Sequence, residues 1–534
     1  MSEITQRVDR IFTTWDRPDS PGCALAVIRD GEIVYKRGYG MANLEHNVPI
    51  GPQTIFDIGS TSKQFTALCI LLLARRGKLS LDDPIQRFLP EMPEYEQPIT
   101  ISHLIHHTSG LRDYLTLMAL ANMPFENDYQ EPEVVALIAR QQALNFAPGA
   151  EFLYSNSGYF LLSEIVERVS GQNLRDFAQE NVFGPLGMVH THFHNNFKEI
   201  VPHRASGYAP RKEGGYQIDM GIFDVLGDGA VYTSVEDLYL WDQNYYDNRL
   251  DGGGQELIRQ MEELGVLNSG EKLDYAFGLT LTDYRGLHSV HHGGSWYGYR
   301  AEMLRFPEQR FSVICLSNLG SMDPSSLCLQ VADVYLESVF TQAPSHGGGE
   351  ENGPVASLSE KALQEKTGTF QDAESGTMAT LTVQSGEMLL NTMGMEFVMQ
   401  PLDADSFKAL DAPVKLIVTY ETDPDHVTVD VNDGMQTMHF ERIQPPQLSA
   451  QQLAEYAGAY HSEELGITYH LSAGDNLLRA EPASPYFDTL HPSQPDAFSA
   501  GMASIQFLRG DEGKVIGYTV NAGRVKNIRF DRVE

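Results

Sequence analysis

The sequence predicts an α+β layered domain followed by two small antiparallel β-barrels. Three features lead there. Strand-like segments stand at both ends of the first two-thirds of the chain with helical segments between them, a break rich in glycine and proline follows, and the remainder reads as short alternating strands. At 534 residues the chain is too long for one core, because single cores stop growing at about 250–300 residues. With 42% hydrophobic and 21% charged residues, it has the composition of a folded protein.

Taken in order, the opening residues MSEITQRVDRIFTTWD carry Glu3, Arg7, Asp9 and Arg10 and lack the apolar stretch of a secretory signal. CALAVIRDGEIVYKRGYG, from Cys23, reads as strands around a turn. Phe65 to Ala74 is the longest apolar run; it falls far short of the roughly 20 residues of a membrane span and reads as a core helix. Asp82 and Asp83 ahead of Pro84 read as a solvated turn, and His106 and His107 as packing and capping residues. Ser234 and Asp237 predict a capping box at the start of a helix whose Tyr239 and Trp241 face the core. Strand character returns near Phe311 to Leu316, so both ends of residues 1–341 are expected to join one sheet.

Gln342 to Ser357, QAPSHGGGEENGPVAS, has no apolar periodicity and reads as a linker. Beyond it the chain repeats with an offset of 90 residues: Leu363, Gly368, Phe370, Gly376, Leu381, Phe440 and Arg442 answer to Leu453, Gly458, Tyr460, Gly466, Leu471, Phe530 and Arg532. Two all-strand units follow, 358–443 and 451–534, separated by QPPQLSA at 444–450. Closure into barrels would remove their exposed edges.

A formal net charge of -34 makes nucleic acid and anionic membranes poor partners and favours solubility. Cys23, Cys69, Cys315 and Cys328 form no CxxC pair, which argues against a disulfide framework or a zinc site and for reduced thiols in the cytoplasm. No cofactor and no metal are expected. A small molecule or short peptide is the expected partner, and a homodimer is left open.

Three short motifs carry chemistry. In GSTSKQFTALCILLLARRG, Ser60 and Lys63 lie three residues apart at a helix start, so hydroxyl and amine share a face, and the helix N-terminus favours negative charge developing there. Tyr154-Ser155-Asn156 follows a Pro-Gly turn and precedes a helical run. His292-Gly293-Gly294 leads into a strand; its glycines allow a substrate backbone to approach, and the strand edge offers N–H groups to an oxyanion. Each motif alone is common, and their order is what carries meaning.

Together they resemble the serine β-lactamase and penicillin-binding protein superfamily, in its class C-like branch of esterases, D-aminopeptidases and related peptidases. Ser60 to Lys63 matches S-x-x-K, Tyr154 to Asn156 matches Tyr-x-Asn, and His292 to Gly294 matches the H-x-G that often replaces K-T-G. ISHLIHHTSGLRDY, GDGAVYTSVEDLYLW, DYAFGL and GGSWYGYRAEM look like the same family, over roughly Gly22 to Leu336. The two terminal repeats resemble the pair of barrels on D-aminopeptidase-like members.

The resemblance implies a β-lactamase-like catalytic domain and a serine hydrolase working through an acyl-enzyme on amides or peptides. Ser60 would attack, Lys63 and Tyr154 would move the proton, and the backbone N–H groups of Ser60 and Ser295, beside Gly293 and Gly294, would form the oxyanion hole. Asn156 would pair with a substrate amide through donor and acceptor. His292, partly charged near neutral pH, stands where a lysine would grip a carboxylate, so efficient β-lactam hydrolysis is not expected. Glu481 and Asp488, around the loop EPASPYFD, are candidates for reading a substrate ammonium. Alternatives are a carboxylesterase, a weak β-lactamase or an inactive binding protein. A further one is zinc held by the alternating His190, His192 and His194, for which no carboxylate or cysteine partner is spaced in sequence.

Overall fold

The computed structural model describes residues 3–342, 358–372, 376–392, 395–410, 416–421, 423, 425–431, 436–474, 476–484 and 488–533. Of the segment read as a linker, 343–357 lie outside the described residues. The chain forms two compact units: Met1–Leu111, Phe125–Ala136 and Phe146–Gly349 in the first, and Arg112–Pro124, Leu137–Asn145 and Glu350–Glu534 in the second.

The strands of the first unit that position the site are, in chain order, β1 (Cys23–Arg29), β2 (Glu32–Tyr39), β3 (Phe56–Asp57), β4 (His192–Phe193), β5 (Val231–Thr233), β6 (Thr280–Tyr284), β7 (Leu287–Trp296), β8 (Tyr299–Phe306) and β9 (Phe311–Ser317). Its main helices are α1 (Glu3–Ile11), α2 (Lys63–Arg75), α3 (Asn156–Ser170), α4 (Val235–Tyr246) and α5 (Pro324–Leu336). Among the described residues the antiparallel sheet runs β6-β7-β8-β9-β1-β2, with Leu25 opposite Cys315. Both ends of this part of the chain therefore meet in one sheet, as the strand pattern predicts. Val8 of α1 and Leu327 and Val331 of α5 pack with Leu25, Val27 and Val313 in one buried cluster.

Every residue of α2 from Lys63 to Leu73 is buried. That is why its sequence is apolar on all sides rather than on one stripe. Phe65 packs at a tilt against Trp241 of α4, ring centres 4.9 Å apart, and Tyr239 on the same helix is half-buried. The capping box expected at α4 is only half formed. The Ser234 hydroxyl accepts from the Asp237 N–H at 3.2 Å, but the Asp237 carboxylate accepts from the His190 N–H and the Thr191 hydroxyl, both at 2.8 Å. The carboxylate is turned toward these donors outside the helix instead of the Ser234 N–H. Among the described residues no helix is long and apolar enough to cross a membrane.

The second unit contains two closed antiparallel barrels of eight described strands each. Their registers agree where the first strand meets its two neighbours. Gly368 faces Leu381 and Phe370 faces Arg442 in the first barrel; Gly458 faces Leu471 and Tyr460 faces Arg532 in the second. Each arginine lies over its aromatic partner, Arg442 at 4.6 Å from the Phe370 ring centre and Arg532 at 5.7 Å from that of Tyr460. Leu363 and Leu453 plug corresponding positions from short helices, both buried. In this unit Arg112, fully buried, pairs with Glu464 at 2.9 Å and donates to the carbonyls of Lys526 and Asn527.

Phe370 is fully buried in its barrel, and Phe370→Ala should cost about 3–5 kcal/mol by cavity formation. Urea unfolding followed on the barrel signal checks this; an unchanged midpoint would mean that the repeat's aromatic position does not hold the barrel together.

Candidate active site

The site begins where β3 delivers the chain into a tight turn, Gly59–Ser62, directly ahead of α2. The Asp57 carboxylate accepts from the Gly59 N–H at 2.8 Å. Ser62 Oγ accepts from the Val231 N–H at 3.0 Å, and Thr61 Oγ1 donates to the His292 carbonyl at 3.0 Å, so the turn is tied to β5 and β7. Strand β6 pairs with β7 only as far as His291, which leaves the stretch from His292 to Trp296 paired with β8 alone. Two glycines permit the approach of β7 to the turn. Gly59 has φ +48°, and a methyl group on it would meet the Ser295 nitrogen at 2.6 Å; one on Gly294 would meet the Ile58 carbonyl oxygen at 1.9 Å.

Ser60 and Lys63 share a face, as their spacing predicts. Lys63 Nζ donates to Ser60 Oγ at 3.1 Å, to Asn156 Oδ1 at 2.9 Å and to the Asp228 carbonyl at 2.6 Å. Its side chain is fully buried. The Tyr154 ring centre lies 4.9 Å from the same nitrogen, and that of Tyr159 5.6 Å. Three distant stretches of sequence thus converge on one amine.

Asn156 opens α3 with its oxygen committed to Lys63, because an amine donor requires the acceptor end of the carboxamide. One lone pair of that oxygen is thereby engaged, while the amide N–H groups remain the donor side of the carboxamide. His292 departs from expectation. Its Nδ1 lies 2.6 Å from the Gly293 carbonyl and must carry the hydrogen, so Nε2 accepts from the Tyr275 hydroxyl at 3.1 Å. Burial, reinforced by the Lys63 charge, lowers its pKa to about 4. The ring is neutral near pH 7 instead of partly charged.

Sequence reasoning passed over several supporting groups. His107, read as packing, holds the Tyr154 segment: its Nδ1 accepts from the Ser155 N–H at 3.1 Å and its ring lies on Tyr154 at 4.2 Å. Tyr275, inside the DYAFGL stretch, donates to the nitrogen that the Gly293 carbonyl leaves without hydrogen; burial pushes its phenol well above the ordinary range, so it keeps its proton. Asp57, two residues before Gly59, is pushed up to about 7 by burial, with the Asp228 charge adding to the effect. Glu481 and Asp488 stand in the second barrel, both exposed; of their loop, 485–487 lie outside the described residues. His190 is exposed, whereas His192 and His194 meet at 3.2 Å.

Residues 8–330 match the family model described as Beta-lactamase. The chain belongs to the beta-lactamase family. A D-aminopeptidase of Gluconobacter oxydans is 27% identical over 457 residues, 85% of this chain and 82% of that protein. A D-aminopeptidase of Brucella anthropi is 25% identical over 530 residues, 96% of each chain, so the likeness extends through the barrels. The octameric penicillin-binding protein homologue from Pyrococcus abyssi superposes with a TM-score of 0.58 at 24% identity, over 82% of this chain and all of that one. Family and relatives together make this beta-lactamase family member a serine hydrolase.

Two outcomes follow from the geometry. Gly294→Ala must separate β7 from the turn, and a displacement near 1 Å costs about 10²-fold in rate; steady-state kcat/KM with the fold checked by circular dichroism measures it. Because the His292 pKa is lowered from 6.5 to about 4, the unfolded state binds the proton first as pH drops. The contribution of this histidine to stability is complete above about pH 6.5 and is lost as pH falls through about 4. Unfolding midpoints from pH 7.5 to 4 should fall less steeply in His292→Gln than in the wild type; parallel curves would contradict the assignment.

Proposed function

We propose that the chain hydrolyses amides of amino acids and short peptides by an acyl-enzyme on Ser60, in the manner of a D-aminopeptidase. The observation that carries this is the Ser60 Oγ to Lys63 Nζ contact of 3.1 Å beside the Tyr154 ring. Lys63 and Tyr154 take the serine proton as Oγ attacks the carbonyl, and Tyr154 returns it to the leaving amine. The N–H groups of Ser60 and Ser295 stabilise the oxyanion, which the close approach of Ser295 to Gly59 supports. Asn156 donates to the substrate's acyl-side carbonyl while its own oxygen steadies Lys63.

The neutral His292 shapes substrate choice. It offers no charge to a carboxylate, so β-lactams and free peptide C-termini gain little at this position, whereas amides and uncharged esters lose nothing. The names of the relatives favour amides of D-amino acids, and ester cleavage at the same serine is the second reading.

A panel of D- and L-amino-acid p-nitroanilides, acetyl esters and nitrocefin tests the reading. D-amino-acid amides should give the highest kcat/KM and nitrocefin the lowest, and Ser60→Ala should lose at least about 10³-fold on every substrate cleaved. Wild-type rates in Ser60→Ala would end the proposal, and a preference for esters over all amides would favour the second reading.

A further inference from the structure

We propose that His192, His194 and Glu199 form a binding site for one divalent transition-metal ion of the zinc class, separate from the catalytic serine. The ligand atoms of all three lie within 4.8 Å of one another. His192 Nε2 and His194 Nδ1 are 3.2 Å apart. Two nitrogens bound to a tetrahedral zinc at about 2.05 Å are separated by about 3.3 Å, so this pair already has the spacing of zinc ligands. Glu199 Oε2, on a half-buried carboxylate, lies 4.0 Å from His194 Nδ1, within reach of a common ion after a small side-chain adjustment.

The chemistry of the three groups suits the ion. Two imidazoles and a carboxylate, with a fourth position left for water, form a recurrent zinc donor set. Arg175 grips both Glu199 oxygens, at 2.6 and 2.9 Å. Its charge weakens the attraction for a cation, but it also orients the carboxylate, and each oxygen keeps a second lone pair for a metal. The alternation His190, His192, His194 supplies only two ligands, because His190 is exposed and its N–H is held by Asp237. The third is Glu199, five residues past His194.

The position explains what such an ion would do. His192 opens β4 opposite Tyr232 of β5, and Tyr232 in turn faces Asp57 of β3, the strand that leads to Ser60. An ion at the free edge of this small sheet would tie its outer strand to the loop carrying Glu199. It would act as a staple on the scaffold behind the nucleophile and take no part in the chemistry.

Metal-stripped full-length protein dialysed against Zn²⁺ at pH 7.5 should bind one equivalent that His192→Ala and Glu199→Gln each weaken at least tenfold. Zn²⁺ should raise the melting temperature of the wild type and of neither variant. Co²⁺ should give tetrahedral ligand-field bands in the wild type that both substitutions abolish. Melting in EDTA controls for folding, and Glu199→Gln, which keeps a hydrogen-bonding partner for Arg175, carries the test if His192→Ala proves unstable. Absence of a bound equivalent, or wild-type affinity in both variants, would overturn the proposal.

Discussion

A lysine nitrogen shut off from water sets the terms for the catalytic unit. Each N–H of Lys63 must be answered, since a buried polar group left alone costs several kcal/mol. The three acceptors come from the turn after β3, the first residue of α3 and the carbonyl of Asp228 ahead of β5. Meeting that demand draws separate parts of the chain together, and the same bonds that satisfy the amine aim the serine. Stability and chemistry here have one geometric cause.

The surrounding residues keep that arrangement from relaxing. Asp57 holds the turn from below, Thr61 pins it to β7, and the two glycines remove the side chains that would push strand and turn apart. His107 and Tyr275 act at one remove, the first by gripping the chain next to Tyr154, the second by donating to the bare nitrogen of His292. His292, neutral near pH 7, presents a ring without charge beside Lys63.

Much of this was legible in the sequence because its signals were local or repeated. The spacing of Ser60 and Lys63 specifies a shared face, and the 90-residue offset specified two barrels whose registers agree at Phe370 and Tyr460. What stayed hidden depends on burial and on partners far along the chain. The charge state of His292 follows from its enclosure against Lys63 and Tyr275, the bond of Asn156 to Lys63 from a contact 93 residues away, and the role of His107 from a contact 48 residues away. Glu199 was missed as a neighbour of the histidines because a turn, not strand alternation, brings it to them.

The central claim is that the buried amine activates the serine, and trapping speaks to it most directly. A serine-directed aryl phosphonate, allowed to react with the wild type and with Lys63→Met and followed by intact mass and peptide mapping, reads both the position and the rate of attack. The account predicts a single adduct on Ser60, formed at least about 10²-fold more slowly when the amine is removed. An adduct elsewhere, or equal rates in the two proteins, would contradict it.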